Sequence, residues 1–449
     1  MQTPVSHRSS LVAAWAASAA LAAASAAIPE ISEVSMSQDS SRLVTISYTL
    51  VNAPAVVTLD VQTNYLDGAE TKWASIGGEA ICRAQGDVWK KIAAGAHTIT
   101  WRPDLWWADQ KVPAGGARAV VTAWPLDNPP DYMVVDIAAA AQPDTQRYYP
   151  AVEFLPGGIL GNPDYRTTSI VMRKIMAKDV TWTMGSTSAE TQRTAANEAT
   201  HKVTLDSNYY IGVFEVTQTQ WAMVDTAVRP WMAWFRDNLA DRPMRPVEQQ
   251  SFNEIRNNAI GTTTDNAACD YPTPPHASSW LGLLRTKTGI DFDLPSEAQW
   301  EFAARAGHGS PYYGDGSVIK NGTTVDSNFE RQGRYKWNGP CDPGSGNWYD
   351  TTTSASSAQG TAVCGSYAPN DWGLYDTLGN VLEWCLDKFS ADISGLNGAV
   401  CMTGSERVMR GGSWRGNAPD ARPALRNHQT ANTRVWHTGF RLACPAAIE

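Results

Sequence analysis

The stretch Gly373-Leu374-Tyr375-Asp376-Thr377-Leu378-Gly379-Asn380-Val381-Leu382-Glu383-Trp384 decides how this chain folds. Gly379-Asn380 is a pair that accepts left-handed backbone, so a turn is expected there. Asp376 and Glu383 flank that turn with carboxylates, and Trp384 follows as a core candidate.

Upstream, the sequence carries helix-start signals. Thr217 with Gln220, Ser251 with Glu254, and Ser296 with Gln299 each place a hydroxyl at an N-cap and a Glu or Gln three residues on. Each pair predicts a helix. A fourth helix is expected from Ser279 to just before Gly289, a residue suited to a left-handed C-cap. Between Gly307 and Tyr367 no helical period survives, while Gly, Asn, Asp and Ser recur. A loop of that length is expected to be functional or pinned by ligands.

Further toward the N-terminus the pattern changes to period two. Leu43–Tyr48, Val56–Val61, His97–Trp101 and Arg118–Trp124 alternate apolar and polar residues and are rich in Val, Ile and Thr. These are half-buried strands. They predict a β-sandwich resembling a fibronectin type III module over residues 28–130. Pro129-Pro130 and Ala138–Ala141 mark a linker or boundary region over 131–164, followed by a second domain over 165–445. Residues 1–27 read as a signal peptide: Arg8, an apolar run from Leu11 to Ala24, and small residues before Ile28. The run is shorter than the roughly 20 residues of a membrane span, so a secreted or periplasmic product with no integral membrane segment after cleavage is expected. No cysteine stands near the cleavage site to carry a lipid.

Composition narrows the partners. The 449 residues include 35 Gly and 26 Pro, with 18% charged and 43% hydrophobic residues, which suits a turn-rich globular protein rather than a disordered one. A formal net charge of -9 and the lack of any Lys/Arg run exclude nucleic acid as the main partner. The seven cysteines fall at 82, 269, 341, 364, 385, 401 and 444. Export would permit disulfides; Cys341–Cys364 is the expected bridge and Cys385–Cys401 a second candidate. No spacing suits zinc. Among the 19 tryptophans, Trp101, Trp106 and Trp107, or Trp231 and Trp234, are candidates for sugar-stacking platforms, with core packing as the alternative.

Six motifs in order carry a family resemblance: Met184-Gly185-Ser186, Phe214-Glu215-Val216-Thr217, Leu294 through Arg305, Gly373 through Trp384, Arg410-Gly411-Gly412-Ser413-Trp414, and Gly439-Phe440-Arg441. The chain resembles the formylglycine-generating enzyme, or sulfatase-modifying factor, family. That resemblance implies an α+β protein whose second domain is compact, irregular and related to the C-type lectin fold. In catalytic relatives a cysteine pair after Gly-Gly-Ser binds copper and activates oxygen to oxidise a sulfatase cysteine; soft sulfur suits Cu(I). Here those positions are Gly416 and Ala421, so no copper site is expected. His437 stands where relatives carry a substrate-binding asparagine, and Leu382 replaces a tryptophan. The HxxxHxE motif of the sulfoxide-synthase branch is absent among the seven histidines.

The resemblance also implies structural calcium, with carboxylates from Asp376 and Glu383, carbonyls from Gly379 and Val381, and Asn328 and the Phe329 carbonyl for a second ion; hard oxygen donors are what Ca²⁺ takes. In relatives the C-terminal segment lines a cleft. Here it offers Ser413, Arg415, Asp420, Arg422, Arg426, His428, Arg434 and His437. These could grip an anion, with His437 as general base and Asp420 as a second catalytic candidate. Alternatively Arg422, Arg426 and Arg441 make buried salt bridges that hold an irregular domain together. Two functions remain open: a non-oxidase binding or scaffold module for a glycan or protein ligand, and an oxidoreductase of the same superfamily using His437 and Asp420.

Overall fold

A computed structural model describes residues 28–106, 111–112, 115–138, 145–188, 190, 192–225, 242–260, 262, 266–309, 325–338 and 360–448. The signal-peptide expectation for 1–27 lies outside these residues, as do Cys341, Trp107, Trp231, Trp234 and the side chain of Trp106.

The chain is mostly β with few helices. Its first part forms antiparallel strands β1 (Glu30–Gln38), β2 (Val44–Val51), β3 (Ala55–Asp67) and β4 (Glu70–Ser75), the one-turn helix α1 (Gly78–Ile81), then β5 (Gln85–Gly86), β6 (Lys90–Ile92) and β7 (Gly95–Trp101). The short helix α2 (Pro103–Trp106) and strand β8 (Ala117–Trp124) complete it. One sheet runs β1-β2-β7-β5; the other runs β4-β3-β6, with β8 also paired to β3. Alternation in β2 buries Val44, Ile46, Tyr48 and Leu50, which meet Val57, Leu59 and Val61 of β3 in one apolar cluster. The period-two pattern thus made strands because every second side chain found a core.

Residues 131–164 are more than a connector. They supply β9 (Tyr132–Asp136) and β10 (Gln146–Tyr149), which join β11 (Ser169–Ile175) in a sheet. Next come the hairpin strands β12 (Thr181–Met184) and β13 (His201–Thr204), paired with each other, and β14 (Tyr209–Gly212). Helices α3 (Gln218–Val224), α4 (Trp280–Thr288) and α5 (Glu297–Arg305) precede β15 (Leu382–Lys388), β16 (Arg407–Arg410), β17 (Asn427–Gln429), β18 (Thr438–Gly439) and β19 (Ala443–Pro445). The five-stranded order is β10-β9-β11-β14-β19, and a four-stranded sheet runs β17-β16-β15-β18. The second core stacks Trp221 on Trp280 at 5.3 Å, with the Phe440 ring edge-on to both.

Three of the four expected helices form. Capping boxes at Thr217 and Ser296 open α3 and α5, and Ser279 caps α4, which ends on left-handed Gly289. The fourth expectation is corrected. Ser251 and Glu254 do exchange their capping hydrogen bonds, but a five-residue π turn, Asn253–Asn257, follows. Within that turn Arg256 forks onto Asp293 at 2.9 and 3.1 Å and reaches the Cys269 and Thr273 carbonyls. Tertiary partners of this one side chain outweigh the propensity to continue an α-helix.

The disulfide expectation also fails for Cys385–Cys401, since both thiols are free. Cys385 faces a cluster with Trp300, Ala304 and Val408, whereas Cys401 turns to Thr403. Cys364 is a free thiol too. Trp101 is core, not platform: it is 2% exposed and its indole N–H donates to the Ala80 carbonyl at 2.7 Å. No helix among the described residues is long and apolar enough to cross a membrane.

Candidate functional site

The turn of the 373–384 stretch is built on left-handed backbone at Asp376, Gly379 and Asn380. Gly379 is obligatory: at φ +86°, a Cβ there would lie 2.1 Å from the Arg334 carbonyl oxygen. Asn380 then works as a brace. Its Oδ1 accepts the Ala362 N–H at 2.8 Å, and its Nδ2 donates to Glu215 Oε2 at 2.6 Å. The Val381 N–H donates to the other Glu215 oxygen at 3.2 Å. Strand β15 then delivers Glu383 into the core.

The two carboxylates expected to hold calcium part company here. Glu383 is saturated: Arg441 grips both of its oxygens at 2.6 Å, and the Trp300 N–H donates to Oε2 at 2.7 Å. The buried guanidinium is itself raised above its ordinary range, because the attraction of Glu383 outweighs its desolvation. Asp376 is different. Its Oδ2 accepts the Gly365 N–H at 2.6 Å, but its Oδ1 is buried with no hydrogen-bond partner. Burial pushes the Asp376 carboxyl up to about 6, and burial together with Asp376 and Glu383 pushes Glu215 well above its usual range. Of the two carboxylates in the expected calcium set, Glu383 is therefore engaged by Arg441 and Trp300, while Asp376 keeps one oxygen without a partner. What gathers near Asp376 is Glu215 and Cys364, with ligand atoms all within 4.8 Å of one another. For the second ion, the Phe329 carbonyl is spoken for by the N–H groups of Gln332 and Gly333.

The Gly-Gly-Ser segment leads out of β16 to a second feature. Gly416 is half-buried and Ala421 is 1% exposed, packed beside Phe329, Tyr335, Leu378 and Ala418. A Cβ on Gly412 would stand 2.6 Å from the Ala421 Cα, so these backbones are in close contact. Half-buried aromatic side chains contact the Arg415–Asn417 segment that holds Gly416. Trp337 donates to Asn417 Oδ1 at 3.3 Å, the Arg415 guanidinium stands 5.3 Å over the Trp436 ring, and Arg415 Nη1 is 3.3 Å from His437 Nδ1. Trp414 beneath donates to the Trp436 carbonyl at 3.3 Å.

The other expected cleft residues do not converge there. Arg422 pairs with Glu198 at 2.8 Å and Glu190 at 3.1 Å, Arg426 with Glu297 at 2.5 Å, and Arg434 with Glu254 at 2.5 Å. His428 pairs with Glu406 at 2.6 Å and stacks on Phe389. Arg422 and Arg426 thus make buried salt bridges, and Arg434 a partly exposed one. Ser413 is buried and accepts the Gly416 N–H on its carbonyl. Asp420 turns back on its own segment, accepting the Asn417 N–H at 2.8 Å. His437 is held down to about 4 by burial and by Arg415. It is neutral at physiological pH and a feeble base.

Sequence reasoning missed Glu215 and Cys364 as neighbours of Asp376. Their separation of 149 residues leaves no local spacing to read. It also missed Trp337 and Trp436, which no periodicity sets apart from other tryptophans.

Comparison with known proteins follows the same motifs. Residues 169–446 match the family described as the sulfatase-modifying factor enzyme 1-like domain. The formylglycine-generating enzyme of Thermomonospora curvata is 32% identical over 216 residues, 46% of this chain and 57% of that protein. The Streptomyces coelicolor enzyme of the same name is 34% identical over 220 residues, 47% of this chain and 57% of that protein. The matched part thus spans little more than half the length of these relatives. A solved structure of PvdO from Pseudomonas aeruginosa superposes with a TM-score of 0.43 at 21% identity, covering 61% of this chain and 94% of that one.

Proposed function

The chain belongs to the sulfatase-modifying factor family, and from that premise we propose that it is an exported member that binds a glycan or protein ligand and does not carry out the copper-dependent oxidation. One observation carries this: the two positions where the family resemblance implies thiolates hold Gly416 and Ala421, neither of which offers a sulfur. Cu(I) chemistry needs soft ligands. Nor do His437 and Asp420 make a substitute acid–base pair, since the first is a weak base and the second caps its own turn. The group formed by Arg415, Trp436 and His437 is the recognition surface in this proposal, because a partly exposed indole and a guanidinium offer stacking and hydrogen bonds together.

The full chain, loaded with Cu(I) and offered a sulfatase-type Cys-x-Pro-x-Arg peptide in oxygen, should yield no aldehyde by mass spectrometry. Aldehyde formation would overturn the proposal. On a glycan and protein array, the ligand signal of the wild type should be lost in Trp436→Ala at unchanged melting temperature. Retention of every signal in that variant removes this face from recognition.

A further inference from the structure

Glu215, Cys364 and Asp376 come from three separate parts of the chain and are each 0% exposed. Their ligand atoms lie within 4.8 Å of one another. Two observations lift this above a chance cluster of acids. Asp376 Oδ1 is buried without any hydrogen-bond partner. In addition, among the described residues neither Glu215 nor Asp376 forms an ion pair, because the nearby Arg441 is committed to both oxygens of Glu383. Arg441 and Arg166 are near enough to attract these two buried carboxylates but pair with neither, so protons or a cation must supply the rest of the neutralisation.

We infer that Glu215, Cys364 and Asp376 form a buried site for a divalent metal ion of borderline softness, of which Zn²⁺ is the fitting representative. The donor set makes that choice. Ca²⁺ and Mg²⁺ take oxygen ligands and gain nothing from sulfur, whereas zinc accepts thiolate and carboxylate together. The geometry agrees: Zn–S near 2.3 Å and Zn–O near 2.0–2.2 Å in a tetrahedron set sulfur and oxygen about 3.5 Å apart, and Cys364 Sγ lies 3.6 Å from Glu215 Oε2. Around the donors, Asn380 Nδ2 and the Val381 N–H fix the Glu215 carboxylate, and the Gly365 N–H fixes Asp376. Such outer partners orient ligands and strengthen metal binding. On binding, the ion displaces the thiol proton and any carboxyl protons to solvent. The site goes beyond the recognition surface proposed above and stands or falls apart from it.

The full chain, stripped with chelator, is titrated with Zn²⁺, Cd²⁺ and Ca²⁺, with bound metal counted by mass spectrometry and stability read by melting. Expected are one zinc per chain, a melting temperature raised by zinc and not by calcium, and an ultraviolet thiolate-to-cadmium band. Cys364→Ser should weaken zinc more than about tenfold, beyond what loss of an outer partner costs, and Cys364→Ala should abolish the cadmium band. Asp376→Asn, which keeps size and removes charge, should weaken zinc as well, which covers the case that a Cys364 variant fails to fold. Failure of the wild type to retain zinc, zinc binding indifferent to these substitutions, or stabilisation by calcium instead of zinc overturns the site.

Discussion

His437 shows how a single environment can settle a residue's role. Burial and the neighbouring Arg415 guanidinium hold its imidazole down to about 4, against an ordinary 6.5. Because the folded value is depressed, the neutral ring contributes stability that is fully present above about pH 6.5 and lost as pH falls toward 4. Urea unfolding of the wild type and His437→Gln at pH 7 and pH 4 should show the wild type losing on the order of 3 kcal/mol or less relative to the variant. A difference that stays constant across that window contradicts the buried, arginine-facing histidine. The arginines around it were legible as residues but not as roles. Arg422 and Arg426 could have pointed into a cleft or into the core, and only their distant partners Glu198 and Glu297 decide for the core; Arg434, paired with Glu254, stays partly exposed. Partners more than 100 residues away leave no trace in local sequence. The same holds for Glu215 beside Cys364.

Helix α5 shows what the sequence does declare. Ser296 accepts the Gln299 N–H at 3.1 Å and Gln299 answers to the Ser296 N–H at 2.9 Å, as the spacing predicted. Glu297 and Glu301 then stand one turn apart and receive Arg426 and Arg410, while Arg305 pairs with Glu301 at 2.8 Å. Burial tends to raise the Glu301 carboxyl, but Arg305 and Arg410 outweigh it and hold it below its usual range. Ser296→Ala should cost about 1 kcal/mol, read as a lowered denaturant midpoint at unchanged slope. An unaltered midpoint means the cap contributes nothing. Strand β9 explains the opposite case. Its Tyr132, Met133, Val134 and Val135 are all buried, so it lacks the alternation that betrays a half-exposed strand. A segment covered on both faces next to a double proline looks like a boundary from sequence alone.

At the scale of the whole molecule, the strands before residue 130 and the sheet after it are not separate packages. One apolar cluster runs from β2, β3 and β7 to Tyr149, Phe154 and Phe214, with Trp89 stacked on Tyr149 at 5.3 Å. The Tyr148 N–H also donates to the Trp89 carbonyl at 2.8 Å. Trp89→Ala should therefore cost roughly 3–5 kcal/mol, and calorimetry of the wild type should show one transition shared by both parts. Two well-separated peaks would show that the cluster does not couple them. The packing at Ala421 bears on what residue the position can hold. With the Ala421 Cα pressed toward Gly412 and its methyl among Phe329, Tyr335 and Leu378, a sulfur added there would overfill the site at a cost of about 1–3 kcal/mol. A Cβ on Gly416 would in turn sit 3.1 Å from Asp420. Placing sulfur at both positions would therefore take more than two substitutions' worth of space: the Asp420 side chain and the ring of Phe329, Tyr335 and Leu378 around Ala421 would have to shift with them.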